Sequence, residues 1–233
     1  MKKTLFLLTI LLSTLCLTAC GGGTQFSLTE RPDAEGPVIR LSDMYYIAVD
    51  RYGEIEKGGI STGAVYEYDS RGLVTMQAVY DERGRKDWIC TYEYDDAGLL
   101  VGYTECRTGK DDMSCKVTEN GNCRMFDRPD FKIRRTIENR TVSEFKNDSL
   151  VARTTYDARG RITVLEDIEG GSTQTFTYDE RGLSSFRLTD KTDDLVFTVK
   201  PVEFDSRGNW TKAYMSYMGE VFFVRERAIT YAK

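Results

Sequence analysis

The chain has 233 residues, a net charge of -5 and no histidine. The acidic balance argues against nucleic acid as a partner, because phosphate recognition needs a concentrated positive surface. The lack of histidine excludes a His-based catalytic triad, a His general base and an imidazole zinc site. We therefore expect a protein that is not an enzyme and that uses no cofactor.

The N-terminus has the features of an export signal. Lys2 and Lys3 precede an apolar run that is too short to span a bilayer comfortably. The run ends in Leu17-Thr18-Ala19-Cys20, which resembles the lipobox of bacterial lipoproteins, where the cysteine thiol takes a diacylglycerol. We predict that residues 1–19 are a lipoprotein signal peptide and that Cys20 is lipidated. A plain signal peptide that leaves Cys20 as an ordinary thiol is the alternative.

A polar segment follows this cysteine. Residues 20–36 contain three successive glycines and Arg31-Pro32-Asp33, with too few apolar side chains to pack into a core. We predict a flexible linker over residues 20–36 and one folded domain over residues 37–233. Gly21, with no acidic cluster after it, indicates a cell-envelope protein anchored in the outer membrane and facing the periplasm. Surface display is the alternative.

One short pattern recurs six times in the predicted domain: an aromatic residue, Asp, two variable residues and Gly. The Asp side chain can accept hydrogen bonds from the following backbone amides, and Gly accepts the left-handed conformation that completes a type I turn with a bulge. Each copy is therefore predicted to be the tip of a β-hairpin. The copies are Tyr68-Asp69-Ser70-Arg71-Gly72, Tyr80-Asp81-Glu82-Arg83-Gly84, Tyr94-Asp95-Asp96-Ala97-Gly98, Tyr156-Asp157-Ala158-Arg159-Gly160, Tyr178-Asp179-Glu180-Arg181-Gly182 and Phe204-Asp205-Ser206-Arg207-Gly208.

The segments between the tips alternate as strands do, and no convincing amphipathic helix is present. The pattern predicts an all-β domain, a long antiparallel meander of about 13 to 15 strands that is too wide to stay flat. We expect a curled or spiral sheet, with a closed or sandwiched sheet as the alternative. Two neighbouring strands are predicted to share one apolar face, formed by Val74, Met76, Ala78 and Tyr80, and by Trp88, Cys90, Tyr92 and Tyr94.

Counting the turns predicts which tips share an end of the sheet. The tips that contain Arg159, Arg181 and Arg207 are each separated by one intervening turn, so they should lie at the same end. Continuing the count backwards places Arg71 at that end and Arg83 at the opposite end.

The recurring motif resembles the YD repeat of the RHS family, in the short, degenerate form seen in lipoproteins of Bacteroidetes. The resemblance covers residues 66–210. Large RHS proteins build curled β-sheet shells that enclose a toxin, and YD repeats have been associated with carbohydrate binding. This chain is too short for a shell and has no toxin domain after Tyr231, so the resemblance does not imply encapsulation.

Our first functional hypothesis is a binding module for carbohydrate or cell-wall polymers. Arg71, Arg159, Arg181 and Arg207 would present guanidinium groups to anionic sugars or to peptidoglycan carboxylates. Trp88 and Trp210 would stack on sugar rings. The alternative interpretation is that each arginine is a solvated turn residue beside its own acid and that both indoles belong to the core.

The second hypothesis is a structural or scaffolding role, in which an edge strand or a sheet face binds a protein of the envelope. The last strand, residues 221–231, is the candidate edge, with Arg225, Glu226 and Arg227 as charges that discourage unwanted pairing. An enzyme would need a carboxylate pair such as Glu166 and Asp167, but adjacent acids in a strand point to opposite faces.

Four cysteines lie in the predicted domain: Cys90, Cys106, Cys115 and Cys123. No two of them form a Cys-X-X-Cys pair, and four cysteines permit three disulfide pairings. We favour a disulfide between Cys106 and Cys115 across a hairpin, because an exported protein can keep one. Buried free thiols that pack as small apolar groups are the alternative.

Overall fold

The computed structural model describes residues 34–120, 122–129, 131–180 and 182–233. The predicted signal peptide and Cys20 lie outside these ranges. The described chain is all-β, and its sixteen strands form one closed antiparallel barrel. The strands are β1 Val38–Arg51, β2 Glu54–Tyr68, β3 Val74–Tyr80, β4 Lys86–Tyr94, β5 Leu100–Arg107, β6 Met113–Asn120, β7 Cys123–Asp127, β8 Lys132–Glu138, β9 Thr141–Lys146, β10 Ser149–Tyr156, β11 Ile162–Asp167, β12 Ser172–Asp179, β13 Gly182–Thr189, β14 Asp194–Phe204, β15 Trp210–Tyr217 and β16 Glu220–Tyr231.

The barrel closes because the first strand pairs with the last. β1 and β16 are antiparallel, and their ladder runs from Val38 opposite Tyr231 to Ile47 opposite Phe223. The expectation of an open, curled or spiral sheet is therefore wrong, and the interpretation of residues 221–231 as an edge strand is wrong with it. Closure removes the two long unpaired edges that an open sheet of this width would expose, and the accumulated twist brings the outer strands together.

The Asp and Gly residues of the recurring motif form the turns that the sequence predicts. In the five copies that the structure describes completely, the Gly amide donates to the Asp carbonyl at 2.9–3.1 Å. The same Asp carboxylate accepts the backbone amide four residues on, at 2.7–2.9 Å. Each Gly has a positive φ between 69° and 83°. In the sixth copy Asp179 pairs with Gly182 across the turn, and Gly182 also has a positive φ.

The barrel has two different ends. The chain enters β1 and leaves β16 at one of them, which we call the termini end, and the opposite one is the far end. Because successive strands are antiparallel, the tips with Arg71, Arg159 and Arg207 lie at the termini end and the tip with Arg83 lies at the far end. This is the arrangement obtained from counting turns.

The side chains of neighbouring repeats are linked at the termini end. The hydroxyl of Tyr94 donates to the carbonyl of Val74 at 2.8 Å, and that of Tyr178 donates to the carbonyl of Ile162 at 2.8 Å. In both cases the acceptor lies two residues after the Gly of the preceding tip at this end. In these two copies the motif tyrosine therefore fastens one hairpin to another.

The predicted shared face of β3 and β4 is only half right. Cys90 and Tyr92 are buried on the inner wall, but the residue opposite Cys90 is Gln77, and the residue opposite Ile89 is Ala78. Directly opposed residues share a face, so Ala78 lies on the outer side, away from Cys90. The reason is that β3 has a register shift near each of its ends, and one extra residue exchanges the two faces of a strand.

An aromatic ladder covers the inner wall of the last five strands. Successive ring centroids lie 6.2, 4.7, 5.4 and 6.0 Å apart along it. Aromatic neighbours at these spacings each add about 0.5–1.5 kcal/mol beyond their buried area. The ladder therefore connects the inner walls of β12 to β16 through ring contacts. Its members are Phe176, Phe186, Phe197, Tyr217 and Phe222.

The left-handed glycines of the tips can be tested against a matched control. Gly72 has a φ of 79° and Gly59 has no positive φ, and a Cβ added at either position would meet no atom within 4 Å. We expect Gly72→Ala to lower the free energy of unfolding by about 1–2 kcal/mol through backbone strain alone. Gly59→Ala should leave it unchanged or raise it by about 0.5 kcal/mol. Urea unfolding of both variants checks this, and equal effects would show that the turn conformation is not what Gly72 supplies.

Candidate functional site

A buried ion-pair cluster joins the first strand to the last. Asp43 on β1 accepts two hydrogen bonds from the Arg225 guanidinium, at 2.7 and 2.5 Å, and one from Arg227 at 3.0 Å. All three side chains are nearly inaccessible to solvent. Burial alone would raise the pKa of Asp43, but the two guanidinium groups hold that pKa below its ordinary value. We call these three residues the seam cluster.

Aromatic rings enclose the seam cluster. The guanidinium carbon of Arg227 lies 3.6 Å from the centroid of the Trp210 ring, and that of Arg225 lies 4.9 Å from the rings of both Trp210 and Tyr45. Burial raises the pKa of Tyr45 to about 12, so its hydroxyl stays protonated. Trp210 is 3% exposed. Its indole is therefore part of the barrel closure and cannot stack on a sugar.

A second network holds the two termini of the described chain together. The Asn209 side chain accepts a hydrogen bond from the Glu35 amide at 2.6 Å and donates to the Glu35 carbonyl at 3.0 Å. It also donates to the Tyr231 hydroxyl at 2.7 Å, which in turn donates to Asp205. The network thus connects Glu35, before β1, to Tyr231 at the end of β16.

Three of the predicted binding arginines, Arg71, Arg159 and Arg207, lie at the termini end, but their guanidinium groups differ in their contacts. Arg71 donates to its own Asp69 at 2.9 Å and to the Asp95 carbonyl of the next tip at 3.0 Å. Arg207 lies over the Tyr231 ring, 4.3 Å from its centroid. Arg159 is exposed, and Arg181 lies outside the described residues. Arg71 therefore acts as a link between two tips.

Trp88, the other predicted sugar-stacking residue, faces inward on β4. It lies half-buried against the core cluster that contains Cys90 and Tyr92. Its buried indole nitrogen has no hydrogen-bond partner among the described residues. The structure therefore places neither indole in an exposed concave surface.

A band of charges runs across the inner wall of β6 to β9. Arg124 and Arg135 are directly opposite each other, and each donates to a glutamate on its far side. Arg124 reaches Glu119 at 2.7 Å and Arg135 reaches Glu144 at 2.8 Å. Burial and the neighbouring Arg135 lower the pKa of Arg124 to about 10. Because each cation has its own carboxylate, the charges of the band balance each other, and its ion pairs stabilise the barrel wall.

The predicted disulfide is not formed. All four cysteines of the domain are free, and Cys115 faces inward opposite Tyr103, whereas Cys106 faces outward opposite Ile89. Opposite faces of a sheet cannot be bridged by the short Cβ to Cβ span of a disulfide. Burial raises the pKa of the Cys90 thiol to about 12 and also raises that of Cys115. These two behave as the buried apolar groups of the alternative interpretation.

A groove with a volume of about 800 Å³ lies across β4 to β7. Gly102 is one of its lining residues and lies directly opposite Glu93 on one neighbouring strand and Lys116 on the other. Its lining is mixed in charge, and its one aromatic ring, Tyr103, is buried. The groove therefore lacks the exposed ring that sugar stacking requires.

No family model matches the sequence, and no curated protein matches it significantly. Among solved structures, a porin-like protein from Bacteroides uniformis is similar, with 11% identity and a TM-score of 0.40 over 84% of this chain and 98% of that one. The Photorhabdus luminescens Tc holotoxin pore is similar with 15% identity and a TM-score of 0.32, over 85% of this chain and 11% of that one. The relation to YD repeats remains a prediction from the motif.

The seam cluster is not among the residues that the sequence predicts as functional. The sequence interpretation assigns Arg225 and Arg227 to an edge strand as charges that discourage unwanted pairing, and it does not include Asp43. A signal was present, because Leu41, Asp43 and Tyr45 alternate in a strand, so an acid occupies a position in an apolar row. A lone acid in such a row indicates a buried partner of opposite charge.

Removal of Asp43 should strongly destabilise the protein. Asp43→Ala leaves two buried cations without their carboxylate, and we expect it to lower the free energy of unfolding by about 3–5 kcal/mol. The exposed pair of Arg187 and Asp194 is the control, since Asp194→Ala should change stability little.

A carboxylate whose pKa falls on folding stabilises the protein above its ordinary pKa of 3.8. Wild-type stability should therefore decline as pH drops below that value, and the decline should be weaker in Asp43→Ala.

The four thiols should fall into two classes. Cys106 and Cys123 are partly exposed, whereas Cys90 and Cys115 are buried. We expect a thiol reagent to label the first pair in the folded protein and the second pair only after unfolding, because burial both blocks access and disfavours the thiolate. Peptide mapping by mass spectrometry after timed labelling separates the sites. Unlabelled Cys106 and Cys123 in the folded, non-reduced protein would contradict the free-thiol assignment.

Proposed function

We propose that this protein is a lipid-anchored, non-enzymatic barrel of the cell envelope that acts as a scaffolding partner of other envelope proteins and does not form a channel. The observation that carries the proposal is the direction of the side chains. The inner wall is lined mainly by apolar and aromatic residues, and its buried charges are paired with each other in the seam cluster and in the band across β6 to β9. Other charged residues face outward in the middle of many strands. These outward charges are Glu93, Lys116, Arg134, Arg153, Glu166, Arg187, Lys200, Lys212 and Glu226.

The charged outer wall distinguishes this barrel from a membrane-spanning one. A spanning barrel presents a continuous apolar band to lipid and keeps polar side chains inside. A charge on the lipid side at mid-membrane costs about 2–4 kcal/mol for Arg or Lys, so several such positions would add to a prohibitive cost. The described residues also contain no helix long and apolar enough to cross a membrane. A barrel with this surface suits an aqueous compartment, and its attachment to a membrane rests on the predicted lipid at Cys20.

The position of the termini supports an anchored barrel with a defined orientation. The segment between Cys20 and Ala34 leads to the termini end, where Glu35 is fixed to Asn209. Thirteen residues, 21–33, separate the predicted lipid from the described chain. Fully extended, they span at most about 45 Å. The termini end is therefore the end we assign to the membrane side, at the outer membrane and facing the periplasm.

Glycan binding, our first hypothesis from the sequence, has less support than a scaffolding role. Both indoles face inward, and Trp210 is covered by the seam cluster. Arg71 is engaged with two tips, as its two hydrogen bonds indicate. We therefore propose a protein-binding role in place of glycan binding.

The anchor and the lack of a channel are tested on the same protein. We expect Cys20→Ser to move the protein from the membrane fraction to the soluble periplasmic fraction, because the lipid supplies the membrane affinity. Purified wild-type protein added to a planar lipid bilayer should give no conductance steps, with a known porin as the positive control. A membrane fraction unchanged by Cys20→Ser would refute the anchor, and reproducible conductance steps would refute the non-channel barrel.

A further inference from the structure

The far end of the barrel carries two large apolar side chains that the fold does not bury. Tyr52, between β1 and β2, is fully exposed, and Met218, between β15 and β16, is 84% exposed. Exposed apolar residues scattered singly need no explanation, but a cluster of them marks an interaction surface. Ile47 and Val49 on β1 and Phe222 on β16, the strands that lead to these tips, are each 36–48% exposed. We call these five residues the far-end patch.

The register of the seam places the two tips on neighbouring hairpins at the same end of the barrel. Ile47 is opposite Phe223, the last pair of the β1 and β16 ladder. Tyr52 follows Ile47 by five residues (52 minus 47), and Met218 precedes Phe223 by five (223 minus 218). At about 3.3 Å per residue, both tips reach about 17 Å beyond this pair on adjacent strands. The aromatic ladder ends at the same place, since Phe222 lies 6.0 Å from Tyr217.

The hairpin of β1 and β2 projects from the barrel. Its ladder continues to Arg51 opposite Glu54, whereas β1 pairs with β16 only as far as Ile47. On the other side, β2 pairs with β3 only from Gly63 onward. The backbone between these positions therefore pairs within the hairpin alone and forms a two-stranded ribbon that carries Tyr52 outward.

The local conformation argues that these side chains are present for a purpose other than folding. Tyr52 and Met218 have φ values of 60° and 51°, and each is followed by a glycine with positive φ. Such two-residue turns favour Asn, Asp or Gly at the first position. The other two turns of this kind in the described chain obey that preference, with Asn139 and Asn147 in first place. In the two turns of the far-end patch, the first position is occupied by a large apolar residue instead. This choice is unfavourable both for the backbone conformation and because the apolar side chain is exposed to water.

The charges around the patch indicate the chemistry of its partner. Arg51 lies 3.3 Å from Glu56, and Lys57 lies 2.6 Å from Glu226, so both nearby cations have carboxylate partners. Glu54 and Glu220, next to the two tips, are exposed and form no salt bridge with another described residue. The patch is thus apolar at its centre and acidic at its rim.

We propose that the far-end patch is the surface through which this protein docks onto an envelope protein that offers an apolar pocket bordered by lysine or arginine. The acidic rim disfavours anionic membrane lipids, and it disfavours a second copy of the same patch, since like charges would then face each other. The inference rests on the proposed scaffolding function and names its surface and partner class. The patch lies at the end opposite the anchored termini, so an anchored barrel presents it away from its own membrane.

Site-specific photocrosslinking in cells tests the docking surface on the full-length, anchored chain. A benzophenone amino acid replaces Tyr52, and the control replaces Val196, which is 48% exposed on the outer wall of β14. We expect a covalent adduct with one envelope protein at position 52 and none at position 196. The combined change Glu54→Lys and Glu220→Lys should reduce the adduct about tenfold, because it reverses the charge complementarity.

Several results would overturn the proposal. They are adducts only with lipid, adducts only with a second copy of the chain, the absence of any adduct, and an adduct of unchanged yield after charge reversal. A stability measurement gives an independent arm. The double variant Tyr52→Asn and Met218→Asn should keep or raise the thermal midpoint while abolishing co-purification of the crosslinked protein, because Asn suits both turns. A lowered midpoint would mean that the two side chains serve folding.

The outcome separates this inference from the proposed function. A wild-type chain that fractionates with membranes and gives no conductance, but forms no adduct at position 52, would reject the docking surface alone. A chain that conducts, or that ignores loss of Cys20, would reject the proposed function whatever the crosslinking result.

Discussion

The structure depends on the pairing of its first strand with its last. Every other pair of neighbouring strands is close in sequence and is joined by a turn whose conformation is determined by a few adjacent residues. The pairing of β1 with β16 closes a loop of nearly the whole domain, and its loop-closure entropy must be offset by contacts that form only in the closed barrel. The seam cluster supplies such contacts, and because its charges are buried, it also penalises any shifted register that would leave Asp43 without guanidinium partners.

The repeat solves a different problem, that of reversing the chain many times without error. Each Asp satisfies the amides of its own turn, and each Gly accepts the left-handed conformation that the turn needs. In two copies the tyrosine before the Asp, Tyr94 or Tyr178, also adds a bond to a neighbouring repeat. The motif thus sets the turn and the register beside it, and in these two copies it also links two hairpins. Such agreement between local and tertiary preferences is what lets a meander of this length reach one structure.

This division explains what could be predicted from the sequence. The tips, the antiparallel order and the end at which each tip lies follow from short-range rules, and the residues that encode them are contiguous. Closure of the barrel could not be predicted from such short-range rules. Asp43 and Arg225 are separated by 182 residues, and no pattern within either strand indicates that it pairs with the other. The face of β3 was also misassigned, since a register shift depends on hydrogen bonding across strands. The sequence identifies the arginines at the tips and both tryptophans as candidate binding residues. Whether such a side chain points into the core or out toward a ligand depends on how the sheet closes into a barrel.

The two ends of the barrel show opposite relations between local preference and structure. At the termini end the Asp and Gly residues of the described tips form the turns they favour, and the Asn209 network fixes the chain where it enters β1 and leaves β16. At the far end two turns contradict their own preferred chemistry with Tyr52 and Met218, and nothing in the described chain covers them. Sequences that violate a local rule at one place while obeying it elsewhere commonly do so where function requires it. Since Asn139 and Asn147 show that this fold uses the favourable residue when only a turn is needed, the exceptions are better explained by what the protein contacts than by how it folds.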